Sequence, residues 1–194
     1  MPNPAVTYLR ALAHNNGWAN HRLLSSCEAL SEEEFAASRV SFFPSLQATM
    51  NHILIVDWYY VDALEAGRLG LGASEQDVPC PRLADLAREQ RAVDARLIAF
   101  CDRLEAASLG QPVHMDRRTH VQTDRVDRVL MHLFNHQTHH RGQAHAMVAG
   151  TRVKPPQLDE FFMEGETHRR ADDFEALGFD EDVVWPHGAR LVTP

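Results

Sequence analysis

A chain of 194 residues is long enough for one domain, or one domain with an extension, and its 27 Asp and Glu against 19 Lys and Arg give a formal charge of −8. No Lys/Arg run exceeds a pair, so the basic stripe that phosphate contacts demand is missing, and nucleic acid is set aside as a partner. Hydrophobic residues at 44% supply a sizeable core, but the apolar runs are short and carry His, Asp or Arg, so neither a membrane span nor a membrane partner is expected.

The first stretch, "MPNPAVTYLRALAHNNGWANHRLL", has no uninterrupted apolar segment of the signal-peptide kind, which makes the cytoplasm the expected location. Asn3 and Pro4 set an N-cap and a first helical proline. Apolar residues then recur at helical spacing from Ala5 through Leu9 and Leu23 to Leu30, with Gly17 a tolerated interruption. Ser31 and Glu34 make a capping box that opens a short helical turn through Ala37. Pro44 and Ser45 start a second long helix, closed by Gly67. Residues 68–81 read as a loop, and a third helix is predicted from Arg82 to Ala107. Between Gly110 and Gln122 the pattern fits two short strands or a loop. Thr123 is the predicted cap of a fourth helix, ending at Gly150; "VKPP" is then a proline-stopped linker, followed by a polar helix near Glu166–Leu177.

Four helices of this length make an all-α four-helix bundle, with a short loop or hairpin before its last helix and a C-terminal extension. The expected division is residues 1–165 for the bundle and 166–194 for the extension. Cys27, Cys80 and Cys101 are an odd count without CxxC spacing and read as reduced thiols.

The segment "NHQTHHRGQAH" puts four histidines into the eleven residues Asn135 to His145. On the helical wheel Val129, Leu133, His136, His140, Gln143 and Met147 fall on one inward seam, with His136 and His140 stacked one turn apart. His139 lies about 100° round, beside His132, and His145 is on the far side. Two imidazoles at i, i+4 can point at one divalent ion, although a histidine bonded to a backbone carbonyl has the same pattern. On the second helix Ala48, His52, Ile55 and Tyr59 run along one stripe and bring a third histidine to the core. Burying three imidazoles separately leaves several nitrogens to satisfy, at about 1–3 kcal/mol each, whereas one metal satisfies three together. His14 and His21 are expected on a solvated face with Asn15, Asn16 and Asn20, and His114, His120, His168 and His187 fall in loops or the tail. Cys101 reads as a small buried hydrophobe.

These residues resemble the DinB/YfiT-like superfamily, a metal-bundle group distinct from the DNA polymerase that shares the name. The likeness rests on "ATMNHILIVDWYY" around His52, on "LFNHQTHHRGQAH" around His136 and His140, and on "NGWANHRLL" with Trp18 and Asn20; it covers roughly residues 5–165. The resemblance implies a four-helix bundle holding a divalent metal through one histidine of the second helix and an HxxxH pair of the last. It also implies relatives that use low-molecular-weight thiols, and others with no assigned activity.

Three neutral imidazoles leave an ion its full charge and an open position, which suits activation of a water or a thiol. The expectation is therefore a metal-dependent hydrolase or thiol S-transferase acting on a small-molecule substrate or thiol, with a non-catalytic metal-binding or stress-response protein as the alternative. Zinc or nickel is the expected ion, one per chain, with iron or manganese as alternatives. Gln143 is the candidate for contact with a metal-bound water. Asp57 and Arg141 read as surface or helix-pairing charges, and Gly142 as a point where another helix approaches closely. Trp18, Trp58, Tyr59 and Tyr60 read as core or dimer-face aromatics, and a homodimer is expected.

Overall fold

The computed structural model describes residues 3–186, so His187 lies outside the described residues. Four long helices carry the fold: α1 (Pro4–Cys27), α3 (Leu46–Leu64), α4 (Leu83–Asp102) and α5 (Val126–Ala149), with a short α2 (Glu32–Ala36) between the first two. Helix α1 packs on α4 and α5, and α3 packs on the same two, so the bundle closes as a ring. The caps form as the sequence demands. Asn3 Oδ1 accepts from the Ala5 amide at 2.9 Å, Ser31 and Glu34 close their box at 2.8 and 3.2 Å, and Ser45 Oγ accepts from the Ala48 amide at 3.0 Å.

Gly67 does not itself end α3. Ala66 takes the left-handed turn at φ 57°, and the Gly67 amide reaches back to the Asp62 carbonyl at 2.8 Å. Gly67 is needed for a different reason: a Cβ there would fall 2.0 Å from the Asp62 carboxylate, which accepts from the Leu69 amide. Helix α4 stops at Asp102, five residues before the predicted end, and a 3-10 turn occupies Ala106–Ser108.

The stretch before α5 is a hairpin, β1 (Pro112–Asp116) paired antiparallel with β2 (Val121–Arg125). Val113 and Met115 point into the bundle. Thr123 does not cap α5, because strand pairing takes it: it lies opposite His114, whose Nδ1 is 2.9 Å from Thr123 Oγ1. Arg125 stands at the cap without a side-chain bond to the helix amides, and the Val126 and Asp127 amides donate instead to the Gln111 and Leu109 carbonyls.

Gly17 is explained by packing. A Cβ there would sit 3.3 Å from Ile98 Cδ1, so α1 and α4 meet closely at this point. Gly142 is the opposite of its predicted role, since it is exposed and a Cβ would meet nothing within 4 Å.

The predicted polar helix of the tail resolves into a 3-10 turn at Glu164–Arg169 and α6 (Ala171–Leu177), followed by a short α7 (Glu181–Val184). Phe161, Phe174 and Val184 form a second apolar cluster against Ala11, Trp18 and Ala19 of α1. The Trp18 indole N–H donates to Asp173 at 3.0 Å, and Arg22 binds the same carboxylate at 2.6 Å. No helix among the described residues is long and apolar enough to cross a membrane.

Candidate metal centre

Helix α3 presents His52, and α5 presents His136 and His140, one turn apart on the seam that also buries Val129, Leu133 and Met147. One ring nitrogen from each histidine lies within 4.8 Å of the other two. His52 Nε2 and His136 Nε2 are 3.0 Å apart. Two nitrogens bound to one tetrahedral zinc at 2.0–2.1 Å would be about 3.3 Å apart, so the spacing is compatible with a shared ion, as it is with a hydrogen bond between the two rings.

The protonation states agree. Burial, reinforced by His140, pushes His52 down to about 4, and burial with the surrounding histidines pushes His136 down to about 3. Burial also lowers His140, against the opposing effect of Gln143. Neutral imidazoles, with a lone pair to give, are therefore the forms held at neutral pH.

Gln143 stands beside the cluster, bonded to two histidine rings. Its Oε1 lies 2.9 Å from His140 Nδ1, and its amide nitrogen lies 3.1 Å from His139 Nε2. An amide oxygen only accepts, so this contact favours the His140 tautomer with its proton on Nδ1, which leaves the lone pair on Nε2. His136 Nδ1 is buried without a hydrogen-bond partner among the described residues. Phe43 covers the His52 ring at 4.3 Å between centroids and His140 at 5.6 Å, which shields the cluster with apolar surface.

Among the described residues the other histidines are not part of the cluster. His132 and His139 are exposed, and the His145 ring bonds the Pro156 carbonyl at 2.9 Å. His14 is buried rather than solvated, with Nε2 3.4 Å from Asp102. All three cysteines are free and buried, and burial raises the Cys101 thiol strongly.

Beneath the histidines lies a feature that the sequence reading misplaced. Of the two readings of Asp57 and Arg141, helix-pairing charges fit and surface charges do not, and Asn16 and Asn20 are not solvated; all four are buried. The Asn16 amide donates to Asp94 at 3.1 Å, and the Asn20 amide at 3.0 Å. The Gln90 amide nitrogen bridges Asp57 and Asp94 at 2.7 and 3.2 Å. The Arg141 guanidinium binds the Asn16 and Asn20 side-chain oxygens, and Gln137 donates to Asp57. Desolvation, aided by Asp94, pushes Asp57 well above the carboxylate range, and desolvation raises Asp94 to about 6. One guanidinium between two buried carboxyls leaves a surplus negative charge unless one carboxyl keeps its proton. The network is near neutral when Asp57 does. The available signal was three polar i, i+4 pairs, Asn16/Asn20, Gln90/Asp94 and Gln137/Arg141, each inside an apolar helix face.

A cavity of about 590 Å³ adjoins the cluster, with His52 and His136 in its wall. Tyr59 and Tyr60, expected as core or dimer-face residues, also line it.

Fold and site together define a class of helical bundle in which one long helix gives a histidine and another an HxxxH pair to a common centre. The DinB family profile matches residues 1–172, and the chain belongs to that family. It is similar to Protein DinB of Bacillus subtilis (strain 168), with 24% identity over 139 residues that cover 69% of this chain and 80% of the relative.

Proposed function

We propose that His52, His136 and His140 hold one divalent cation, zinc or nickel, and that the chain is a metal-dependent hydrolase or thiol S-transferase acting on a small molecule. The observation that carries this reading is the convergence of three imidazole nitrogens within 4.8 Å, all favoured in the neutral form. Held by these three neutral imidazoles, a divalent ion would supply the Lewis acidity that lowers the pKa of a water or a thiol. The chain's own residues do the rest. Gln143 fixes the His140 tautomer, Phe43 keeps water off the rings, and the cavity beside His52 and His136 receives the substrate.

In this reading residues 1–165 serve as the bundle and 166–194 as an extension packed on it or trailing from it, and the contacts of α6 and α7 with α1 support packing of the described part. The three free cysteines support a cytoplasmic location. A homodimer is part of this reading, and a monomer mass in light scattering at micromolar concentration would end it.

Metal analysis of the purified chain tests the site: one ion per chain is expected, and His136→Ala loses it. Full occupancy in a His52→Ala, His136→Ala double variant sinks the assignment. A thiol-transfer and esterase screen then separates the enzyme from a non-catalytic metal-binding protein, because only the enzyme shows turnover that follows occupancy and stops with a chelator.

A further inference from the structure

The cavity beside the histidines has two unlike ends. Its walls are mainly apolar, with Phe43, Ile55, Val56 and Leu71 among them, and at about 590 Å³ it has the size of a small-molecule site. Away from the histidines stands Arg117, half-buried in the turn of the β1–β2 hairpin. Its guanidinium lies 5.2 Å over the Tyr59 ring and 5.6 Å from the Tyr60 ring. Nε donates to Gln122 Oε1 at 3.0 Å, and Nη2 donates to the Tyr60 hydroxyl at 3.0 Å. Both acceptors are neutral. Among the described residues no carboxylate pairs with this guanidinium, and the one acidic residue of the cavity wall, Asp77, is exposed.

A cation set against aromatic faces and bonded only to neutral groups retains unspent donors in a partly desolvated place. An arriving anion gains charge-assisted bonds there that water matches poorly. Tyr60 adds to this, because its oxygen accepts from Arg117 and its own proton remains available to donate. We propose that the cavity binds a small molecule with an apolar body and a terminal carboxylate, the carboxylate held by Arg117 and the Tyr60 hydroxyl and the reacting end directed to the histidines. Helix geometry sets the length. Tyr60 follows His52 by eight residues, about 12 Å along α3 at 1.5 Å per residue. On the facing helix the Tyr60 ring meets His132 at 5.3 Å, and His132 meets His136 at 6.5 Å. A ligand that reaches both ends is therefore about 10 Å long, the length of a phenylalkyl carboxylate.

Only the placement of the reacting end rests on the proposed function; the anion end stands on Arg117 and Tyr60. The test is titration calorimetry of the full chain with 4-phenylbutyrate and with its uncharged amide, 4-phenylbutyramide, in metal-loaded and in chelated protein. The wild-type chain should bind the acid at least tenfold more tightly than the amide in both states. Arg117→Met should bring the acid down to the affinity of the amide and leave amide binding unchanged. Equal affinity for acid and amide in the wild type overturns the proposal. So does a preference that survives Arg117→Met and disappears on chelation, which would place the carboxylate on the ion. Should Arg117→Met lose both probes through a disturbed wall, Arg117→Lys decides. A several-fold preference for the acid there supports the assignment, and parity between the probes overturns it. Failure of the metal assignment would show in ion stoichiometry and leave the preference in chelated protein intact, so the two failures are distinguishable.

Discussion

Arg141→Met removes the only cation of the buried network and keeps most of the side-chain volume. In the native chain this guanidinium faces Asp57 and Asp94 and donates to the side-chain oxygens of Asn16 and Asn20. Its loss leaves two amide oxygens without donors and two buried carboxyls without a counter-charge. Breaking a buried charge pair from one side costs about 3–5 kcal/mol, and that is the expected loss of stability at pH 7.5. The deficit should also depend on pH. Desolvation already raises Asp94 to about 6, above its unfolded value near 3.8, so its protonated form is the one favoured by folding. A carboxyl raised in this way stabilises the fold fully below its unfolded pKa, and the contribution fades as pH rises through the folded pKa. Without Arg141 that folded pKa moves higher still. The variant therefore binds about one more proton on folding than the wild type between pH 7.5 and 6. At about 1.36 kcal/mol per pH unit, it should recover about 2 kcal/mol of its deficit over that range. Urea unfolding of both proteins with excess chelator measures this, since the histidine contribution is common to the two and cancels in the difference. A deficit under 1 kcal/mol at pH 7.5, or one that does not shrink on acidification, would refute the argument for a buried, charge-balanced network.

Gly142→Ala should stabilise the chain by about 1 kcal/mol in chemical denaturation, because it adds helix propensity where a Cβ meets nothing within 4 Å. Gly17→Ala should gain less or lose stability, since its Cβ would press on Ile98 Cδ1 at 3.3 Å; an equal gain at both sites contradicts the packing described. Metal occupancy should hold through mildly acidic pH and fall only towards about pH 4 and below, because folding lowers His52 to about 4 and His136 to about 3 and protons compete for the same nitrogens. Loss of the ion already at about pH 6, or full occupancy at about pH 2 in protein that is still folded, would argue against ligation by these lowered imidazoles. Trp18→Phe keeps the ring in the second cluster but loses the bond to Asp173, and a drop of about 1 kcal/mol in stability is expected; a larger loss would mean that the tail contributes more to the bundle.

The helices were legible because their signals are local. Asn3–Pro4, the Ser31/Glu34 box and Ser45 each sit beside the amide they satisfy, and all three form. The histidine cluster was legible for a related reason: the i, i+4 spacing of His136 and His140 and the stripe of His52 are properties of single helices. What failed depended on partners distant in sequence. Thr123 looks like a cap until β1 claims it, and Gly142 looks like a contact point although nothing approaches it. The buried network was missed because Asn16, Asp57, Asp94 and Arg141 come from four different helices and are polar in every local sense. Only together are they satisfied, and no single helix face reveals that. Arg117 likewise gains its meaning from the tyrosines across the hairpin turn.

Helix α5 carries two sets of side chains one residue out of step. His136 and His140 serve the cluster, while Gln137 and Arg141, about 100° further round, are bonded into the core network. The helix is thus keyed like a shaft with two slots. It cannot turn to readjust one histidine without pulling a guanidinium or an amide out of bonds made to α1 and α3. The mechanical result is a histidine cluster with little play in angle, whose aperture is set by the interior. Under the proposed metal site, an ion of the wrong radius would meet walls that do not follow it, and selection among metals would become a property of the bundle's stiffness as much as of the donor atoms.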